Sequence, residues 1–181
     1  ATGTSDVLTI TAGLGTTTAA ATNIGVLTAT GFETINLVAN PGPTSTTGAN
    51  RTSTITSITD TSLTAVNLTG TSWTVSDISS TKAVTWTATG LTGNGASTPV
   101  GLTVSATGTA AAGSVVNGSD LRDSITMNSS TGVTFNLNGG NDLFSTTNLA
   151  PAWWEWVLRC QAGQTNLIVT NRTSGMEFFI L

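Results

Sequence analysis

Apolar and polar residues alternate in short bursts along this chain. The clearest are Val7-Leu8-Thr9-Ile10-Thr11, Thr34-Ile35-Asn36-Leu37-Val38, Ala65-Val66-Asn67-Leu68-Thr69, Trp73-Thr74-Val75-Ser76 and Val84-Thr85-Trp86-Thr87. A period of two marks an extended strand with one face buried. The centres of these bursts fall roughly ten or roughly twenty residues apart, the spacing of a coil that contributes two strands per turn. The pattern predicts an all-β protein, a β-solenoid (parallel β-helix-like) with coils of roughly twenty residues. Strands at this density also suit a β-sandwich of immunoglobulin-like connection, which is the alternative architecture. Helical spacing persists nowhere in residues 1–147, where β-branched residues dominate.

Turn chemistry divides the bursts. Asn40-Pro41-Gly42-Pro43-Thr44, Gly93-Asn94-Gly95-Ala96-Ser97-Thr98-Pro99 and Asn117-Gly118-Ser119 combine residues that accept left-handed backbone with prolines that cannot donate to a ladder. Larger loops are therefore predicted at 39–51, 89–101 and 107–120. Residues 1–147 share one composition and read as a single Thr-rich domain. From about 148 the character changes. Trp153, Trp154 and Trp156, the only Cys (Cys160), Arg159 and Arg172 fall in 148–181. That tail reads as a docking or secretion segment, or as sequence foreign to the domain. Within it, Pro151 to Arg159 suggests a short helix with Pro in the first turn, and Thr165 to Thr170 suggests one more strand.

Composition narrows the function. The chain has 181 residues, enough for a real core, yet only 5 Lys+Arg and 9 Asp+Glu, for a net charge of −4. Five scattered basic residues leave no footprint for nucleic acid, and no apolar run approaches the length of a membrane span. Threonine reconciles low charge with a wet surface, because its β-branch favours strands and its hydroxyl faces water. A single Cys excludes an intrachain disulfide, which suggests another source of stability such as stacked hydrogen-bonded coils or bound calcium. There is no His to act as a general base and no Cys/His metal set, and the central acids Asp60, Asp77, Asp120 and Asp123 do not pair on one strand face by spacing. The chain reads as a structural protein, not an enzyme.

Two segments carry candidate metal chemistry: Gly118-Ser119-Asp120-Leu121-Arg122-Asp123-Ser124-Ile125 and Asn138-Gly139-Gly140-Asn141-Asp142-Leu143-Phe144. Each sets a Gly/Asn turn before an Asp, then one residue, then a large apolar side chain. Hard cations such as Ca²⁺ take mixed carbonyl and carboxylate oxygens, which points to Asp120, Asp123, Asn141 and Asp142 as ligands. Asp123 and Asp142 lie nineteen positions apart, close to two nonapeptides, so a coil stacks one above the other. Plain acidic turn residues without metal are the competing reading.

These segments resemble degenerate copies of the RTX nonapeptide Gly-Gly-x-Gly-x-Asp-x-apolar-x, with Gly140-Asn141-Asp142-Leu143-Phe144 the better match. Separately, Thr30-Gly31-Phe32-Glu33-Thr34-Ile35-Asn36-Leu37 resembles a phrase recurring in bacterial surface-layer proteins of the Caulobacter and Campylobacter type. That resemblance implies a protein secreted by a one-step (type I) exporter, folded around Ca²⁺ outside the cell, and tiling the bacterial cell surface by self-assembly. A cell-surface polysaccharide is a further implied partner. The terminal Glu177-Phe178-Phe179-Ile180-Leu181 is similar to the end of some proteins exported that way. An adhesin or ice-binding module is the alternative function, using Thr-x-Thr pairs such as Thr85/Thr87/Thr89 or exposed tryptophans. Trp73 and Trp86 are expected to plug the core instead.

Overall fold

Where the alternation is strongest, the chain is extended. The computed structural model describes residues 3–13, 22–40, 51–129, 132–146, 156–159 and 168–170. Its strands, in chain order, are β1 (Val7–Ala12), β2 (Val26–Thr28), β3 (Thr34–Ala39), β4 (Thr52–Ile55) and β5 (Ser57–Thr59). There follow β6 (Ala65–Gly70), β7 (Ser72–Val75), β8 (Thr85–Leu91), β9 (Val100–Thr109) and β10 (Val115–Asn117). The last are β11 (Arg122–Ser129), β12 (Val133–Asn136), β13 (Leu143–Thr146), β14 (Trp156–Arg159) and β15 (Ile168–Thr170). Among the described residues there is no α-helix.

Three sheets result among the described residues. The first runs β1-β3-β6-β8-β10-β12-β14, the second β15-β13-β11-β9-β7-β4, and β2 pairs with β5 in a small third. Every strand pairing among the described residues is parallel. An immunoglobulin-like sandwich is built from antiparallel pairs, so the alternative architecture is excluded. From β6 onward the chain visits the first and second sheets in strict turn. Ala65 pairs with Thr85, twenty residues on, and Val115 with Thr134, nineteen on. Other returns are longer: Thr34 pairs with Ala65, thirty-one residues on, and Thr85 with Val115, thirty on.

Register turns the alternation into columns. Ile35, Val66, Trp86, Val116 and Phe135 occupy successive rungs of the first sheet, all at most 4% exposed. In the second sheet Ile55, Val75, Val104, Ile125 and Phe144 do the same. Both columns enter one hydrophobic core, each side chain contributing about 1.5–3 kcal/mol of burial. Phe135 and Phe144 meet edge to face across it, with ring centroids 5.0 Å apart. Trp73 and Trp86 are buried, as expected of core plugs. Gly70 ends β6 at φ +93°, where a Cβ would run into the Ala39 carbonyl oxygen of the neighbouring rung.

Some boundaries differ from the sequence expectation. The predicted loop at 107–120 contains the end of β9 and all of β10. The loop at 89–101 shrinks to 92–99, because Thr89 to Leu91 continue β8 and Val100 opens β9. Local Gly, Ala and Thr content signalled a turn there, but ladder pairing with β11 and β8 keeps the backbone extended. Most of the loop at 39–51 lies outside the described residues, as do 151–155. Residues 156–159 of the expected tail helix form β14, paired with β12; sheet pairing overrides the weak helical signal. Of the predicted tail strand, Ile168–Thr170 form β15, and 165–167 lie outside the described residues.

Candidate functional site

The acidic residues singled out by sequence cluster where the second sheet's strands begin. Asp123 is the second residue of β11 and Asp142 immediately precedes β13. Ser124 pairs with Leu143, so the two aspartates occupy neighbouring rungs. Both point inward, at 0% and 1% exposure. The Asp123 backbone N–H donates to Asp142 Oδ1 at 2.8 Å, and the stacking expected from their nineteen-residue separation is present. Two residues later Ile125 and Phe144 fill the core, also as expected.

Asp123 is surrounded by donors. Its Oδ1 accepts from the Leu102 N–H at 2.8 Å and from the Ser119 hydroxyl at 2.7 Å, and its Oδ2 accepts from the Ser119 N–H at 2.7 Å. The register between β9 and β11 shifts at this point, so Gly101 and Leu102 together face Asp123. Glycine is required on both sides of the carboxylate: a Cβ on Gly118 would strike Asp123 Oδ2, and one on Gly101 would strike the Ser119 hydroxyl. Burial pushes the Asp123 carboxyl up to about 7, the three donors oppose this, and the neighbouring Asp142 charge adds to it.

Asp120 and Asn141, by contrast, are exposed. The turn that leads into Asn141 is tight: Asn138 takes φ 58° and Gly140 φ 107°. As a calcium set the four residues are divided, two buried and two exposed, with the oxygens of Asp123 turned toward N–H and O–H groups. That arrangement fits an internal hydrogen-bond acceptor and not the shared oxygen cage of a hard cation. Among the described residues no three His, Cys, Asp or Glu side chains gather as metal ligands.

A second acidic corner lies near the start of the chain. Asp60 accepts from the backbone N–H groups of Gly31 (3.2 Å), Phe32 (3.0 Å) and Ser62 (2.8 Å). Glu33 Oε2 accepts from the Asp6 N–H at 2.7 Å. Burial raises the Asp60 carboxyl, but the three backbone donors outweigh it and hold the group below its ordinary value. Asp60 and Glu33 thus staple one rung to the rung before it, as Asp142 and Asp123 do. Glu33 was visible only as part of a surface-layer-like phrase and Asp60 only as a central acid. Glu33, like Asp6 and Asp142, directly precedes a strand, whereas Asp60 directly follows β5.

The remaining polar feature is an outward column on the first sheet. Thr9, Asn36, Asn67, Thr87, Asn117 and Asn136 occupy successive rungs. Asn36 Nδ2 donates to Thr9 Oγ1 (3.3 Å), Asn67 Nδ2 to Asn36 Oδ1 (2.8 Å) and Asn136 Nδ2 to Asn117 Oδ1 (2.7 Å). Amide ladders of this kind add hydrogen bonds between rungs without charge. Comparison with protein-family models, with characterised proteins and with solved structures finds no match to this chain. No helix among the described residues is long and apolar enough to cross a membrane.

Proposed function

We propose that this chain is a β-solenoid segment of a self-assembling extracellular coat, a bacterial surface layer or a layer like it. Its coils have a basic length of about twenty residues, lengthened in places by connectors. The observation that carries the reading is the wholly parallel pairing of strands that alternate between two sheets. Such a rod-like stack offers a rigid repeating unit, and its sheet faces and strand edges offer contacts that propagate. The acids support a scaffold over an enzyme, because the best-placed carboxylates hold backbone N–H groups of adjacent rungs.

Electron microscopy of the chain at high concentration tests the proposal: ordered sheets or filaments are expected. A preparation that stays monodisperse with and without calcium would refute it. Calcium is proposed only as an accessory, met by Asp120 and Asn141 on the exposed side of the turns. At about 1 mM Ca²⁺, within the range of extracellular modules, the melting temperature should then rise, and an Asp120→Asn variant should lose that rise. Secretion by a one-step exporter and contact with cell-surface polysaccharide remain parts of the proposal drawn from the resemblance.

The ice-binding or adhesin alternative keeps support from the outward threonines of β8. It loses its aromatic platform at Trp73 and Trp86, which are buried.

A further inference from the structure

We infer that the outer face of the first sheet is a self-contact surface, seating the same face of a second copy of this chain. The inference rests on the self-assembly reading and specifies which surface carries it.

Charge is the first reason. Outward positions of β1, β3, β6, β8, β10 and β12 hold only Thr, Asn, Val and Ala in their two best-registered columns, and charge enters these columns only at the end of the sheet, where Asn136 is in register with Arg159 of β14. Charged residues between Asp6 and Asp142 lie in connectors or on β11 of the second sheet. A chain of net charge −4 repels its copies, so identical surfaces meet without like-charge contact only where such charge is missing. Aromatic side chains are missing from these columns too, so the face lacks a stacking platform for sugar rings or bases.

The second reason is hydrogen-bond satisfaction. Covering a polar surface costs free energy when its groups lose water without finding partners. Here the amides of Asn36, Asn67 and Asn136 already donate along the column, to Thr9, Asn36 and Asn117. Part of the desolvation cost is thus met inside the molecule, and the face suits a dry, flat partner better than an ordered water layer. Short side chains let two sheets approach to about 10 Å.

Area sets the strength. Six rungs about 4.8 Å apart and five residues at about 3.3 Å give roughly 400 Å² per copy. A standard stable interface needs about 800 Å² per partner. The contact is therefore weak for an isolated pair and effective only where many copies are arrayed.

The test is sedimentation of the intact chain over a concentration series, with lysines placed at the exposed Thr85 and Thr89 (Thr85→Lys/Thr89→Lys) and, as a control on the second sheet, at the exposed Ser105 (Ser105→Lys). Weak, concentration-dependent association of the parent chain is expected. The double variant should weaken it at least about tenfold, about 1.4 kcal/mol, and Ser105→Lys should leave it unchanged. A Thr85→Cys/Cys160→Ser chain should also form an intermolecular disulfide on mild oxidation, a readout available if the lysines disturb folding. Equal association of parent and double variant, with no cross-link, overturns the face assignment while self-assembly stands. No association of the parent at any concentration overturns both. Thermal hysteresis in the parent, abolished by the double variant without any self-association, identifies ice as the occupant and overturns the proposal.

Discussion

Asp123 concentrates the consequences of burial in one side chain. An unfolded aspartate titrates near 3.8, whereas burial raises Asp123 to about 7 in the folded protein. Between these values the folded state binds more protons than the unfolded one. Its contribution to stability is complete below the lower value and is lost as pH rises through the higher. Asp60 works in the opposite sense: its lowered value adds stability above the ordinary range and is lost as pH falls through it. Thermal melts should therefore show a higher midpoint at pH 5 than at pH 8, with a further fall under strong acid. Asp123→Asn should flatten the pH 5–8 slope; an unchanged slope would mean another group sets it. Gly118→Ala tests the cradle itself. The added methyl meets Asp123 Oδ2, and overpacking of this kind costs about 1–3 kcal/mol, measurable by urea unfolding.

Strands β7 and β8 each carry one large buried aromatic, and the two differ in hydrogen bonding. Trp73 Nε1 donates to the Thr69 carbonyl at 3.1 Å. Trp86 Nε1 is buried without a partner. Truncating either to Ala should cost about 3–5 kcal/mol. Replacement by Phe separates them: Trp73→Phe leaves a carbonyl without its donor, whereas Trp86→Phe removes an unmet N–H, whose burial costs about 1–3 kcal/mol. Trp86→Phe should therefore be the milder change in chemical denaturation, and the reverse order would show that ring volume decides. In β6, Asn67→Ala breaks the amide column and should cost about 1 kcal/mol, the net worth of a typical hydrogen bond. Alternating bursts were enough to locate β1, β3, β6, β7 and the first three residues of β8, because each has a clean period of two. β2, β5 and β10, three residues each, carry too few alternations to stand out from the Thr-rich background.

Among the described residues, stacked parallel strands leave each rung held mainly by its neighbours in the sheet. Central rungs such as β6 and β8 are paired on both sides, while β1 has one described partner. Hydrogen exchange should accordingly be slowest in peptides spanning 65–70 and 85–91 and faster in 7–12. Uniform protection along the stack would argue for a single cooperative unit instead. The same topology orders the surface: outward residues of β1, β3, β6, β8, β10 and β12 align into uncharged columns, and most of the described charged residues lie in connectors.

Composition and alternation alone pointed to the all-β class and to the inward fate of Trp73 and Trp86, because strand periodicity is a local property of a chain. The nineteen-residue spacing of Asp123 and Asp142 likewise anticipated their stacking. Three-dimensional pairing was needed for the rest. It chose parallel over antiparallel, a matter of how distant strands close on one another, which local pattern leaves open. It turned Asp123 inward onto Leu102 and Ser119, because a register shift beside Gly101 opens room for a carboxylate among backbone donors. It also aligned Asn36 with Asn67 and Asn117 with Asn136, pairs separated by thirty-one and nineteen residues, whose bonding depends on register and not on neighbours in sequence.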